Sequence, residues 1–230
     1  MKELEEIWPL FGLRIVCGYA MSETPYGTIW PRGTRPFGTL GSIRQHPTLG
    51  VVNEGRVMHD GRPAGPREVG ELELRNPAVM KGYWGMPEET AQVLSNDGWL
   101  RTGDLVTDNG EGIYTFVGRV KEVIRRRGEN VAPAEIEEAL VDHPAVFEAA
   151  VVGVPSELSE EEIKAFVVLH DPVADLAAVR DHAAGLLAPF KVPRYMEATS
   201  ELPHTPTGRV AKHELGRERT PAEIDFERRA

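Results

Sequence analysis

The chain has 230 residues, with 36 acidic side chains against 26 Lys and Arg and a formal net charge of −10. That length fits one large domain or two small ones, able to bury about 70% of the unfolded surface, and a hydrophobic fraction of 41% with 27% charged excludes global disorder. The acidic balance excludes a broad basic face for nucleic acid, though not a local basic patch. The single cysteine, Cys17, excludes a disulfide framework and a cysteine-built zinc site, and it fits a reducing, cytoplasmic setting. No run of about 18 apolar residues is present, so no membrane span is expected, and the acidic start from Met1 to Ile7 does not read as a signal peptide. With 23 glycines and 18 prolines the chain reads as loop-rich α/β, not as a helix bundle.

In chain order, residues 2–11 read as a helix end, with Leu4, Ile7, Trp8 and Phe11 on one side. Leu13–Val16 reads as a short strand running into a polar loop at 18–24. Residues 25–50 hold many turn formers and read as irregular. Short strands are expected at 50–53, 55–58 and 71–75. Pro87 followed by Glu88 and Glu89 starts a short helix. Asp97-Gly98 is a turn, and Asn109-Gly110 signals a hairpin into a strand at 113–117. Beyond Gly118 the pattern changes. An amphipathic helix at 133–140, strands at 146–154 and 163–169, a helix over 174–187 and a strand at 194–198 suit a small α+β domain with its helices on one face of a three-stranded sheet. The expected organisation is thus residues 1–117, a joint at 118–121, a second domain at 122–216 and a charged, frayed tail at 217–230.

Four clusters carry possible chemistry. Tyr19-Ala20-Met21-Ser22-Glu23 places a hydroxyl and a carboxylate at a strand end, where α/β proteins hold ligands. Ser22 suits a phosphate oxygen and Glu23 suits Mg²⁺; equally, the pair could cap a helix. In Trp99-Leu100-Arg101-Thr102-Gly103-Asp104, Asp104 suits ribose hydroxyls, or closes an ordinary Gly-Asp turn. The stretch from Gly118 to Asn130 has three consecutive arginines, a basic loop for phosphates or a solvated hairpin tip. Pro203-His204-Thr205-Pro206-Thr207-Gly208-Arg209 is a stiff loop presenting one cation, or a surface turn.

In this order, with the connecting segments Gly70-Glu71-Leu72, Val79-Met80-Lys81-Gly82-Tyr83-Trp84 and Pro133-Ala134-Glu135-Ile136-Glu137, the clusters resemble the AMP-forming adenylating superfamily of acyl-CoA synthetases, adenylation domains and luciferases. The resemblance covers roughly residues 10–216. The run Arg125-Arg126-Arg127-Gly128-Glu129-Asn130, with Gly153-Val154-Pro155, looks most like crotonobetaine/carnitine-CoA ligases, hence fatty-acid or carnitine metabolism. It implies the last part of a large adenylating domain, with short strands and a partial barrel, followed by a mobile α+β domain. The implied reaction makes an acyl-adenylate and pyrophosphate from ATP and a carboxylate; CoA then displaces AMP.

By motif position the resemblance implies Tyr19 near the adenine, Ser22 on the α-phosphate and Glu23 holding Mg²⁺. Asp104 and Arg119 would hold the ribose. Lys121 would be the hinge, and Arg127, Gly128 and Glu129 would line the CoA tunnel. Arg209 stands where the family has its adenylation lysine, and Lys212 is the other cation in reach of that role. No Ser/Thr/Gly-rich phosphate loop precedes Tyr19, so the chain is expected to be the C-terminal half of a ligase, inactive alone and, through an open sheet, prone to self-association. Two alternatives stay open: an adenylation domain loading a carrier protein, and a non-catalytic protein that binds nucleotide or a partner. The strand spacing from Val146 to Leu169, with no Gly-Ser acceptor motif downstream, favours CoA.

Overall fold

The computed structural model describes residues 16–34, 36–46, 48–156 and 160–227. The expected helix at 2–11 and most of the strand at 13–16 lie outside these residues. The chain divides into two compact units that meet between Val117 and Gly118.

The first unit is built from two sheets. Strands β1 (Gly18–Met21), β2 (Thr24–Ile29) and β3 (Ser42–Ile43) form one, in that order. The other has five strands in the order β5-β4-β6-β7-β8, from β4 (Glu54–His59), β5 (Arg62–Pro63), β6 (Gly70–Arg75), β7 (Leu100–Asp108) and β8 (Tyr114–Arg119). The sheets stay open, so the partial barrel expected from the resemblance is not a closed one among the described residues. A short helix α1 (Pro87–Val93) starts at its proline with Glu88 and Glu89 in the first turn, as anticipated. Leu72, Leu74 and Val106 are fully buried and form the core with Val57 and Tyr114.

Several expectations need correction here. Thr24–Ile29 is a strand despite Pro25 and Gly27, because its partners β1 and β3 take up its backbone groups. The expected strand at 50–53 does not form. Leu100–Asp108, taken as a motif with a turn, is the longest strand of this unit.

The second unit opens with a 3₁₀ turn at Val120–Glu122 and a hairpin of β9 (Ile124–Arg126) and β10 (Glu129–Val131). Its two-residue loop, Arg127-Gly128, has φ of 54° and 81°, the paired left-handed conformation that tight hairpins use. Helix α2 (Pro133–Val141) begins at proline. Strands β11 (Val146–Pro155) and β12 (Glu161–Leu169) pair antiparallel. Helix α3 (Leu176–Leu186), capped by the Asp175 side chain accepting from the Ala177 N–H at 2.9 Å, leads to β13 (Tyr195–Thr199), which runs parallel to β12. Both helices bury Ile136, Leu140 and Val179 against Val151, Ile163 and Val167. The opposite cluster joins Val152, Val154, Phe166 and Tyr195 to Leu202, with Val210 and Leu215 packed on it.

The sheet has four strands, not the expected three. The fourth, β14 (Ile224–Asp225), comes from the segment read as a frayed charged tail. Phe226 packs on the helix-side core, and ion pairs dock the rest of the segment. Asp225 meets Arg194 at 3.0 Å, and Glu223 and Glu197 meet the fully buried Lys164 at 2.9 and 2.8 Å.

Candidate functional site

The β1–β2 hairpin turns through Ser22 and Glu23, which are neither in a helix nor capping one. Ser22 is exposed. The Glu23 side chain is half-buried and oriented: its Oε1 accepts from the Tyr83 hydroxyl at 2.9 Å, and its carbonyl accepts from the Met80 N–H at 2.8 Å. Burial first, and then the Glu23 carboxylate, push the Tyr83 phenol up. Asn76 ties the same loop to the hairpin, donating to Thr24 Oγ1 at 3.0 Å and to the Tyr26 carbonyl at 3.1 Å.

Asp104 sits at a break in sheet register. Glu71 pairs with Leu105 and Glu73 with Arg101, so residues 102–104 bulge opposite Leu72. The buried Thr102 hydroxyl donates to the Leu72 carbonyl at 2.7 Å, and the Gly103 N–H donates to Glu71 Oε1 at 3.0 Å. Gly103 has φ of 72°, which explains the glycine. A bulge re-aims the side chain that follows it. Asp104, 3% exposed, receives the Tyr19 hydroxyl on Oδ2 at 2.6 Å. The structure thus brings Tyr19 and Asp104 together across 85 residues.

The remaining candidates belong to the second unit. Arg119 closes β8 and is exposed, and exposed Lys121 lies in the 3₁₀ turn. Arg127, Gly128 and Glu129 form the exposed tip of the β9–β10 hairpin, and Arg127 meets Glu227 at 3.2 Å. Its neighbour Arg126 points inward. It is 1% exposed, donating to the Phe190 and Val192 carbonyls at 2.9 Å each and meeting Glu162 at 2.6 Å. The arginine run therefore splits into one structural and two exposed cations.

Arg209 is exposed at the end of a closed loop. Ala211 donates to the Pro203 carbonyl at 2.7 Å, Thr205 to the Arg209 carbonyl at 2.8 Å, and Gly208 takes φ of 79°. His204 Nε2 lies 2.9 Å from Glu148 on β11, and that hydrogen bond raises the imidazole pKa. Lys212, the other cation in reach of that role, is paired with two carboxylates in this structure. Its Nζ lies 2.8 Å from both Glu122 and Glu137.

Among the described residues no group of three or more His, Cys, Asp or Glu side chains could hold a metal. Glu23 alone still suits Mg²⁺, which takes one or two protein carboxylates and completes its shell with water and phosphate oxygens. A cleft of about 350 Å³ in the first unit is lined by Tyr26, Arg44, His46, Asn53 and Asn76, and none of the candidate residues lines it.

Residues 135–209 match the AMP-binding enzyme C-terminal domain. Over 209 residues the chain is 39% identical to a sulfoacetate–CoA ligase of Cupriavidus necator, covering 89% of this chain and 40% of that protein. The chain carries the C-terminal domain of the AMP-binding enzymes. A crotonobetaine/carnitine–CoA ligase of Salmonella heidelberg is 34% identical over 222 residues, covering 93% of this chain and 42% of the relative. The fold agrees. The o-succinylbenzoate CoA synthetase of Bacillus subtilis, solved with its acyl-adenylate intermediate, superimposes with a TM-score of 0.81 at 28% identity, over 95% of this chain and 43% of that one. The chain therefore spans about two fifths of the length of these adenylating relatives.

Tyr83 lies in a connecting segment of the resemblance, which gives it no role, yet it is the residue that orients Glu23. It follows Gly82, whose φ is 146°. A glycine beside an aromatic residue was the available signal, but it carried no indication that the ring would reach Glu23.

Proposed function

We propose that this chain is the C-terminal portion of an ATP-dependent acyl-CoA ligase. The overall reaction converts a carboxylate, ATP and CoA to acyl-CoA, AMP and pyrophosphate through an acyl-adenylate. The observation that supports it most directly is the Tyr19–Asp104 pair, with a buried carboxylate aimed by a bulge at a strand end. In this reading Asp104 accepts from the ribose hydroxyls, and Tyr19, held by that same carboxylate, packs by the adenine. Arg119 reinforces the ribose contact, and Ser22 donates to the α-phosphate. Glu23, oriented by Tyr83, holds Mg²⁺, which offsets phosphate charge.

Residues 122–216 act as the mobile domain, turning about Lys121. One orientation brings Arg209 to the bond between α-phosphate and carboxylate, where charge builds and an oriented cation stabilises it. The other brings Arg127, Gly128 and Glu129 along the path of the CoA thiol. Arg209 keeps its charge at any working pH, and its fork matches phosphate and carboxylate oxygens. The free Cys17 fits a cytoplasmic enzyme, and no helix among the described residues is long and apolar enough to cross a membrane.

The test is pyrophosphate release and acyl-CoA formation from ATP, Mg²⁺, CoA and a panel of carboxylic acids that includes sulfonated, fatty and carnitine-like ones. The segment is supplied alone and joined to the upstream part of the sulfoacetate–CoA ligase relative. Turnover by the joined protein and none by the segment alone is expected. Robust adenylation by the segment alone, or none by a folded joined protein, overturns the reading.

A further inference from the structure

Lys212 stands in a 3₁₀ turn, Lys212–Glu214, that follows the Arg209 loop. Its ammonium lies 2.8 Å from Glu122 Oε2 and 2.8 Å from Glu137 Oε1. The three groups belong to three different elements: the 3₁₀ turn that carries Lys121, helix α2, and the segment after the Arg209 loop. Glu137 goes further, since the same oxygen accepts from the Val151 N–H of β11 at 2.7 Å. A continuous polar path therefore runs from the turn through Lys212 to the helix and into the central sheet.

This is not an ordinary surface pair. The Lys212 side chain is 19% exposed, that of Glu137 20% and that of Glu122, at the rim, 37%. Burial by itself would lower the lysine pKa, but Glu137 and Glu122 outweigh it and the pKa is raised, so the cation stays charged.

We propose that Lys212 is a positioning residue that fixes the pivot turn to the body of the small unit. The inference rests on the reading of Lys121 as the hinge. Glu122 is the residue after Lys121, so the clamp makes the chain from Glu122 onward move as one body with α2 and the sheet. The change in φ and ψ that a hinge must absorb then falls on Arg119, Val120 and Lys121. The same cation ties the base of the Arg209 loop to that body, so the loop and the turn keep a fixed relation as the unit rotates.

Amide hydrogen exchange on the 230-residue chain tests the clamp without substrates, so the outcome is independent of the ligase reading, which the pyrophosphate assay decides. In Lys212→Met, exchange over residues 120–123 should rise about tenfold, as for a local opening released from one charge-assisted bond. Exchange in β11 and β12 should stay at the parent level. Lys212→Arg, which keeps the charge, should restore protection, and Glu122→Gln should reproduce the loosening without touching the lysine. Unchanged exchange at 120–123 in both Lys212→Met and Glu122→Gln overturns the proposal. So does a rise spread evenly over the whole unit, which would make Lys212 merely a stabilising residue. If Lys212→Met does not fold, Glu122→Gln alone decides between these outcomes.

Discussion

Gly103 bears the conformation that delivers Asp104. At φ of 72° a side chain meets the steric cost of the left-handed region, so Gly103→Ala should lose about 1 kcal/mol. Urea unfolding reads this as a lower midpoint at unchanged slope. Arg209 offers a functional counterpart. In the joined ligase, Arg209→Ala should slow adenylation about 10²-fold or more and leave thioester formation from supplied acyl-adenylate nearly unchanged; pyrophosphate release and acyl-CoA formation separate the two. His204 predicts a pH effect of definite sign. Glu148 raises its folded pKa, so the stabilisation is fully present below the unfolded histidine value and is lost as pH rises through the raised one. His204→Gln should therefore narrow its stability deficit between pH 5.5 and 8, as measured by urea unfolding at each pH, and NMR titration of the imidazole should show the elevated value directly. At this scale Ser22, Glu23, Asp104 and Arg209 stand out as candidates because each sits in a short motif whose chemistry is local. Tyr83 does not, because its bond to Glu23 joins residues 60 apart, and nothing in either segment encodes the other.

Elements were legible where their own periodicity or caps define them. Helix α2 announces itself by Pro133 and an apolar stripe, and β11 by the apolar run from Ala149 to Val154. Strand β7 was hidden because Thr102-Gly103-Asp104 reads as a turn, whereas in the sheet it is a bulge that the strand passes through. Strand β2 was hidden behind Pro25 and Gly27. Strand β14 is two residues long, too short for its apolar flank, Ile224 and Phe226, to stand out in a charged tail; ion pairs and the packing of Phe226 on the helix-side core recruit it. That makes it testable. Lys164 is fully buried, and Glu223, itself 2% exposed in its side chain, is one of its two carboxylate partners. Removing one partner of a buried pair costs about 3–5 kcal/mol, because the remaining charge is stranded. Glu197 remains to compensate in part, so Glu223→Ala should cost about 3 kcal/mol, seen as a drop in Tm. Truncation before Glu223 should in addition expose the edge of β13 and promote association at higher concentration, read by light scattering.

On the scale of the whole molecule, each unit has its own buried clusters. We expect residues 119–227 to fold alone, with limited proteolysis cutting near 118–121 and leaving a resistant C-terminal piece. A resistant fragment that crosses this segment would show that the two units share one cooperative core. The distribution of tryptophan gives a second route to the same question. All four tryptophans, Trp8, Trp30, Trp84 and Trp99, precede Val117, and the second unit has none. Trp30 and Trp99 are buried at 4% and 8% exposure, the latter with the Arg56 and Arg75 guanidinium groups within 4.1 and 4.7 Å of its ring. Trp84 stands almost fully in water at 99%. Indole emission is thus a built-in reporter for the first unit and is silent for the second, whose helices dominate the far-ultraviolet dichroism. Denaturation followed by both signals on unlabelled protein should give two separate midpoints, and coincident curves would mean that the units melt as one.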